Sequence, residues 1–173
     1  MKLKSNPCFF VKYGTIYKKL TKVRNKRKMS KIALIGCCKK KLGKDNPSEL
    51  FYAKDIYIGN SFKKSKEQGI NTFDCEDYYI LSAKYGLLDK NEKIPYYDKT
   101  LYNMKACDRR KWAEDILEEL RSKYDFKNDE FYIFAGGKYY ENLAGHLNCV
   151  VFKYINSNCI TFNIKETFRN GGK

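Results

Sequence analysis

The chain reads as an α/β protein: a mainly parallel sheet of four to five strands in three layers, with helices on both faces. Three observations predict it. Apolar runs of strand length recur at residues 32–35, 78–82, 131–135 and 150–154. The first run is unbroken rather than alternating, as in a strand covered on both faces. The segments between the first three are long enough for crossovers, and such alternation calls for parallel pairing.

The first run, Ile-Ala-Leu-Ile, is closed by Gly36 and followed at once by Cys37, Cys38 and lysines 39–41. It is too short for a helix and uniformly apolar, so it is predicted as a central strand. Gly43 and Asn46-Pro47 mark a loop over 39–48. Residues 50–68 then read as one helix, with Phe51, Ala53, Ile56 and Tyr57 toward one side and lysines in its last turns. Gly69 stops it.

Residues 78–82, Tyr-Tyr-Ile-Leu-Ser, form the second strand, and 83–88 leave it as a loop. Residues 89–101 read as an extended, ordered loop around Ile94 and Pro95. A second helix is predicted over 104–123, with Trp112, Ile116, Leu117 and Leu120 as its buried stripe and Glu114, Glu118 and Arg121 in water. The turn at 127–129 leads into the third strand, 131–135. Gly136-Gly137 then opens a third helix over 139–147, and a fourth strand follows at 150–154. Residues 159–162 offer one more short strand. The arrangement is Rossmann-like.

At 173 residues the chain has room for one well-filled domain, placed at residues 29–173 and preceded by a basic extension over 1–28. That extension holds ten of the 35 Lys and Arg residues and no acid, with Phe9, Phe10, Tyr13 and Tyr17 interleaved. A basic arm with aromatics suits a nucleic-acid backbone. Met29 is equally a natural start, in which case the arm lies upstream of the protein. No apolar run reaches the length of a membrane span, and none resembles a secretory signal core. A cytoplasmic protein without a membrane partner is therefore expected. The 7 cysteines include no Cys-x-x-Cys, and His146 is the single histidine. Reduced packing thiols are expected, with no metal site and no cofactor.

Open α/β sheets bind ligands beyond the carboxyl ends of their strands, so the loops leaving the first three strands should meet on one edge. The first offers Cys37, Lys39 and Lys41. The second offers Ser82, Lys84 and Tyr85, with Tyr97, Asp98 and Thr100 further along. The third offers Gly136, Gly137 and Lys138, where two glycines opening a helix let backbone N–H groups approach an anion. Cationic loops around such an edge suggest a phosphate-bearing ligand.

A thiol at a strand end beside lysines would be acidified and able to act as a nucleophile, which makes Cys37 a catalytic candidate. Its other reading is a small residue that lets a ligand come close. Asp98 follows Pro95-Tyr96-Tyr97, and a carboxylate beside aromatic rings suits a base-binding pocket. The competing role for Asp98 is a helix N-cap, which Thr100 can fill instead. Tyr85 and Tyr97 are candidates to stack on a nucleobase.

Five segments carry a resemblance: residues 32–41, Tyr79-Ile-Leu-Ser-Ala-Lys-Tyr-Gly-Leu-Leu88, Tyr97-Asp-Lys-Thr-Leu101, Trp112-Ala113 and Phe134-Ala-Gly-Gly-Lys-Tyr139. In this order they resemble the bacterial peroxide stress protein YaaA-like family, over about residues 31–147. More distantly, Cys37-x-x-x-Lys41 with Tyr97-Asp98 is similar to the uracil-DNA-glycosylase-like domain of archaeosine synthase. This chain has Gly36 and Leu42-Gly43 where that domain has proline and Pro-Tyr.

The resemblance implies a uracil-DNA-glycosylase-like fold and a nucleic-acid- or nucleobase-related role, with DNA, RNA or a nucleotide as partner. The leading expectation is an N-glycosidic hydrolase that takes a flipped base into a pocket. Asp98 would orient water or stabilise an oxocarbenium-like centre, Lys41, Lys84 and Lys138 would hold phosphates, and Tyr85 or Tyr97 would stack. The alternatives are a non-catalytic DNA-binding stress or defence protein and a small-nucleotide-binding sensor.

Overall fold

A computed structural model describes residues 28–155 and 158–160, so the basic extension other than Lys28 lies outside the described residues. In chain order the elements are β1 (Lys31–Gly36), β2 (Leu50–Tyr52), α1 (Ala53–Ile56), α2 (Asn60–Glu67) and β3 (Asp77–Ser82). Then come β4 (Gly86–Asp89), β5 (Lys93–Pro95), α3 (Ala106–Lys123), β6 (Glu130–Phe134), α4 (Gly137–Tyr140), β7 (Cys149–Ile155) and β8 (Asn158–Ile160).

The main sheet has the order β4-β3-β1-β6-β7-β8. β1 pairs in parallel with β3 on one side and β6 on the other, and β6 pairs in parallel with β7. The outer strands β4 and β8 run antiparallel to their neighbours. The protein is therefore α/β with a mostly parallel mixed sheet, six strands rather than four to five. No helix among the described residues is long and apolar enough to cross a membrane.

Because β1 is central, its alternate side chains feed two cores. Ile32 and Leu34 pack with Leu81, Ile133 and the α3 residues Trp112, Ile116 and Leu120. Ala33 and Ile35 pack on the other face with Ile56, Phe62, Ile80 and Phe134. Burying each such Leu or Ile contributes on the order of 1.5–3 kcal/mol. The base of the sheet is fastened by Asp129, buried, whose carboxylate accepts from the backbone N–H groups of Ser30 and Asp125.

Three expected elements differ. The single helix over 50–68 is instead β2, α1, α2 and a π-helical turn, Gln68–Thr72. Phe51 pairs with Ile94 across a two-stranded ribbon of β2 and β5, so residues 50–52 follow a period of two. Tyr57 is extended and bridges Lys41, which ends α1. The loop after β3 is a hairpin into β4, turned at Gly86 with φ +73°, a conformation glycine adopts without steric cost. The helix over 139–147 is only the four residues of α4 plus a 3-10 turn, Ala144–His146.

The connections place the site. From β1 the chain passes through α1 and α2 on one face to reach β3, and from β3 through α3 on the opposite face to reach β6. The carboxyl ends of β1 and β6 thus form a topological switch point, where the loops diverge and leave a crevice.

Candidate functional site

The switch point holds a cleft of about 330 Å³. Gly36 and Cys37 from the end of β1 and Ala135, Gly136 and Gly137 from the end of β6 form its floor. Phe62 and Ser65 of α2 form one wall, and Tyr102 and Tyr139 the other. Tyr102 comes from the 3-10 turn Leu101–Asn103, which Thr100 caps by accepting from the Tyr102 backbone N–H. Tyr139 is buried, and its hydroxyl lies 3.3 Å from the Cys37 sulfur. Burial pushes the Tyr139 phenol well above the usual tyrosine range, and negative charge at Cys37 adds to the shift. Hydrogen bonding from Thr100 and Leu101 opposes it. Among the described residues lining this cleft, none carries a carboxylate.

Beside the cleft is a second, denser cluster. The hydroxyls of Tyr57 and Tyr97 lie 2.7 Å apart, and those of Tyr97 and Ser82 2.8 Å apart. The Ser82 hydroxyl also accepts from the backbone N–H groups of Tyr85 and Lys84, at 3.1 and 3.3 Å. The Lys41 ammonium stands over the Tyr97 ring at 4.3 Å and over the Tyr57 ring at 5.8 Å. Burial drives the Tyr97 phenol far above its ordinary range; charge at Cys37 and Tyr57 reinforces this, while the Ser82 hydrogen bond opposes it. The Tyr57 phenol is raised chiefly by burial as well. Both phenols are therefore neutral donors and acceptors at physiological pH.

The predicted residues sort accordingly. Cys37, Gly136 and Gly137 line the cleft, while Lys41, Ser82 and Tyr97 form the adjoining cluster. Lys84 and Tyr85 edge that cluster, with the Lys84 ammonium 5.0 Å from the Tyr85 ring and Tyr85 edge-on to Tyr97. Thr100 is a cap, as its alternative role allowed. Lys39 is exposed. Lys138 is paired with Glu141, 3.4 Å away, which also binds Arg109 at 2.7 Å.

Two expectations need correction. Tyr97 is 5% exposed with one ring face under Lys41 and its edge under Tyr85, so it is a packed residue rather than an open stacking platform. Asp98 was expected among aromatic rings with lysine counter-charges. It is exposed, because the chain turns Tyr97 inward and the next side chain consequently outward. Burial raises the pKa of the Cys38 thiol, and the Gly59 backbone and the Lys41 charge only partly offset this.

Sequence reasoning did not single out Tyr102, Phe62, Ser65 or Tyr57. Phe62 carried no signal beyond an ordinary apolar position. Tyr57 carried one in retrospect, since a tyrosine placed on a buried face needs a partner for its hydroxyl.

The chain belongs to a family of unknown function, DUF6884, whose pattern matches residues 32–156. That span runs from β1 through β7 and contains both the cleft and the hydroxyl cluster. No curated protein and no solved structure matches the chain.

Proposed function

We propose that this protein binds a nucleobase-bearing ligand, either a nucleotide or a nucleotide extruded from DNA or RNA, in the cleft between β1 and β6. In this reading it is a YaaA-like protein on a Rossmann-like or uracil-DNA-glycosylase-like variant of the α/β fold. The observation that carries it is the cleft at the switch point. Its size falls within the range of about 300–1,000 Å³ usual for small-molecule sites. Tyr102, 60% exposed, is free to stack on a base at its mouth, an interaction worth roughly 1–3 kcal/mol per base. The backbone at Gly137 has open space beside it, which leaves room for a base edge to approach.

Calorimetric titration with free bases, nucleosides and mononucleotides tests the proposal. A base-bearing ligand should bind, and Tyr102→Ala should weaken it at least tenfold. Ribose 5-phosphate, which has no base, should be indifferent to that change. If no base-bearing ligand binds, or Tyr102→Ala has no effect, the reading falls.

N-glycosidic hydrolysis is the second reading, and Asp98 is the observation in its favour. Its carboxylate has no hydrogen-bond or ion-pair partner among the described residues. It stands two residues before Thr100, whose side chain engages Tyr139 at the cleft. That carboxylate is exposed and outside the cleft lining, so the hydrolase reading requires the 98–100 segment to turn it toward a bound substrate. Incubation with modified and unmodified DNA or RNA, followed by mass spectrometry for released bases, decides between binder and hydrolase. For a hydrolase, Asp98→Asn should lower base release on the order of 100-fold or more while binding persists.

A further inference from the structure

We infer that Lys41 and Tyr57 form an oxyanion site, one that takes a phosphate group on the Lys41 ammonium and the Tyr57 hydroxyl. Lys41 is 7% exposed, the one buried lysine among the described residues. Several lysines at the surface have carboxylate partners: Lys28 with Glu76, Lys90 with Asp77, Lys111 with Asp115 and Lys138 with Glu141. Lys41 has none among the described residues, only the faces of Tyr97 and Tyr57. A cation taken out of water without a counter-ion is costly unless something completes its shell.

Nor is Lys41 there by accident of a loose loop. Residue 41 bridges Tyr57, the Leu42 N–H donates to the Ile56 carbonyl at 2.9 Å, and the Ile58 N–H donates to the Lys40 carbonyl at 3.1 Å. The ammonium retains some accessible surface, because no fully buried side-chain nitrogen among the described residues lacks a partner. A lysine is thus held in place with its stem buried and its donors unspent.

Counting protons adds a second donor. The Ser82 oxygen accepts from two backbone N–H groups, which fills its lone pairs, so its own O–H must donate to Tyr97. The Tyr97 O–H then donates to Tyr57. The Tyr57 O–H is left at the end of the chain, with only the already engaged Ser82 hydroxyl beside it among the described residues, on a ring that also lies beneath the Lys41 ammonium. One cation and one directed hydroxyl with no carboxylate between them suit a phosphate, and disfavour a metal or a cationic ligand. This inference does not depend on base binding in the cleft.

The test uses the full chain and inorganic phosphate, with chloride at matched ionic strength as control. Wild-type protein should show a saturable rise in melting temperature with phosphate. Lys41→Met should weaken phosphate binding at least tenfold while the ligand-free protein melts at the same temperature or higher. Tyr57→Phe should weaken it severalfold. Should Lys41→Met fold poorly, protection of Lys41 from amine labelling by phosphate in the wild-type chain, read by peptide mass spectrometry, takes its place.

A phosphate effect no larger than that of chloride, or one that survives Lys41→Met, or an absence of protection, overturns the inference. Nucleoside binding that persists alongside any of these results leaves base binding standing. Phosphate binding through Lys41 without any nucleoside binding sinks only the base-binding proposal.

Discussion

Trp112 donates its indole N–H to the Ser82 carbonyl at 2.8 Å, so α3 on one face of the sheet is pinned to the residue that starts the hydroxyl chain on the other. Trp112→Phe keeps the aromatic packing but leaves that buried carbonyl without its donor, at a cost of about 1–3 kcal/mol. The urea midpoint should fall by a corresponding amount with an unchanged slope, since the surface exposed on unfolding is the same. Tyrosine fluorescence from the cluster should change alongside.

Alkaline titration should separate the tyrosines into classes. Burial lifts Tyr78 to about 12, with the nearby carboxylates of Asp55, Asp77 and Asp89 adding to the shift, and it lifts Tyr57, Tyr97 and Tyr139 higher still. A folded-state pKa above the unfolded one means the native protein holds the extra proton. This contribution to stability is complete below about pH 10, the unfolded value, and is lost as pH rises from there toward 12 and beyond. Absorbance at the phenolate band should show exposed tyrosines titrating first and the buried group appearing only with unfolding. A single uniform titration near the unfolded value in a still-folded protein would contradict the arrangement.

Gly136 has a specific steric role. A Cβ there would lie 2.6 Å from the Tyr102 hydroxyl, and because that atom is the far end of a mobile side chain, the tyrosine can move away. Gly136→Ala should therefore leave the melting temperature nearly unchanged while displacing Tyr102 from the cleft. Affinity for a base-bearing ligand should fall about tenfold, the order expected for losing one stacked ring. Calorimetry of the variant checks it.

The basic extension makes a separable prediction. Lys28 pairs with Glu76 at 2.9 Å, but with side chains 87% and 46% exposed, so that bridge contributes little to stability. Deleting residues 1–28 should preserve the fold. If the arm neutralises backbone phosphates, the deletion should flatten the salt dependence of DNA binding by about 0.9 in log–log slope for each phosphate that the arm had neutralised. Filter binding across a salt series measures it.

Much of the scaffold was legible because each central strand announces itself locally. β1 and β6 are short, apolar and bounded, and the stripe of Trp112, Ile116, Leu117 and Leu120 marks α3 without help from the rest of the chain. β4 was hidden because Leu87 and Leu88 are both buried, one toward each core. An edge strand covered on both sides shows no alternation. The break in the 50–68 segment was hidden because Phe51 finds Ile94, and only tertiary pairing imposes extension there.

Site residues were legible where chain geometry fixes them. Strand ends converge by topology, so Cys37, Ser82 and Gly136 were found. The inward turn of Tyr97 and the outward turn of Asp98 depend on packing against Tyr57 and Ser82, distant in the chain and not paired by any local pattern.

The central position of β1 also has a consequence for the order in which the protein takes shape during synthesis. Its inner partner β3 arrives early, but the contact of Ser30 with Asp129 joins residues 99 apart, and β6 is made only after α3. Until β6 emerges from the ribosome, one whole edge of β1 remains open. Along Ile32–Ile35 that edge is uncharged, and Lys31 at its start is the one charged residue of β1 to guard it against intermolecular pairing. A stalled or truncated chain ending within α3 is therefore the aggregation-prone species of this protein, whereas the finished sheet has an antiparallel strand closing each side.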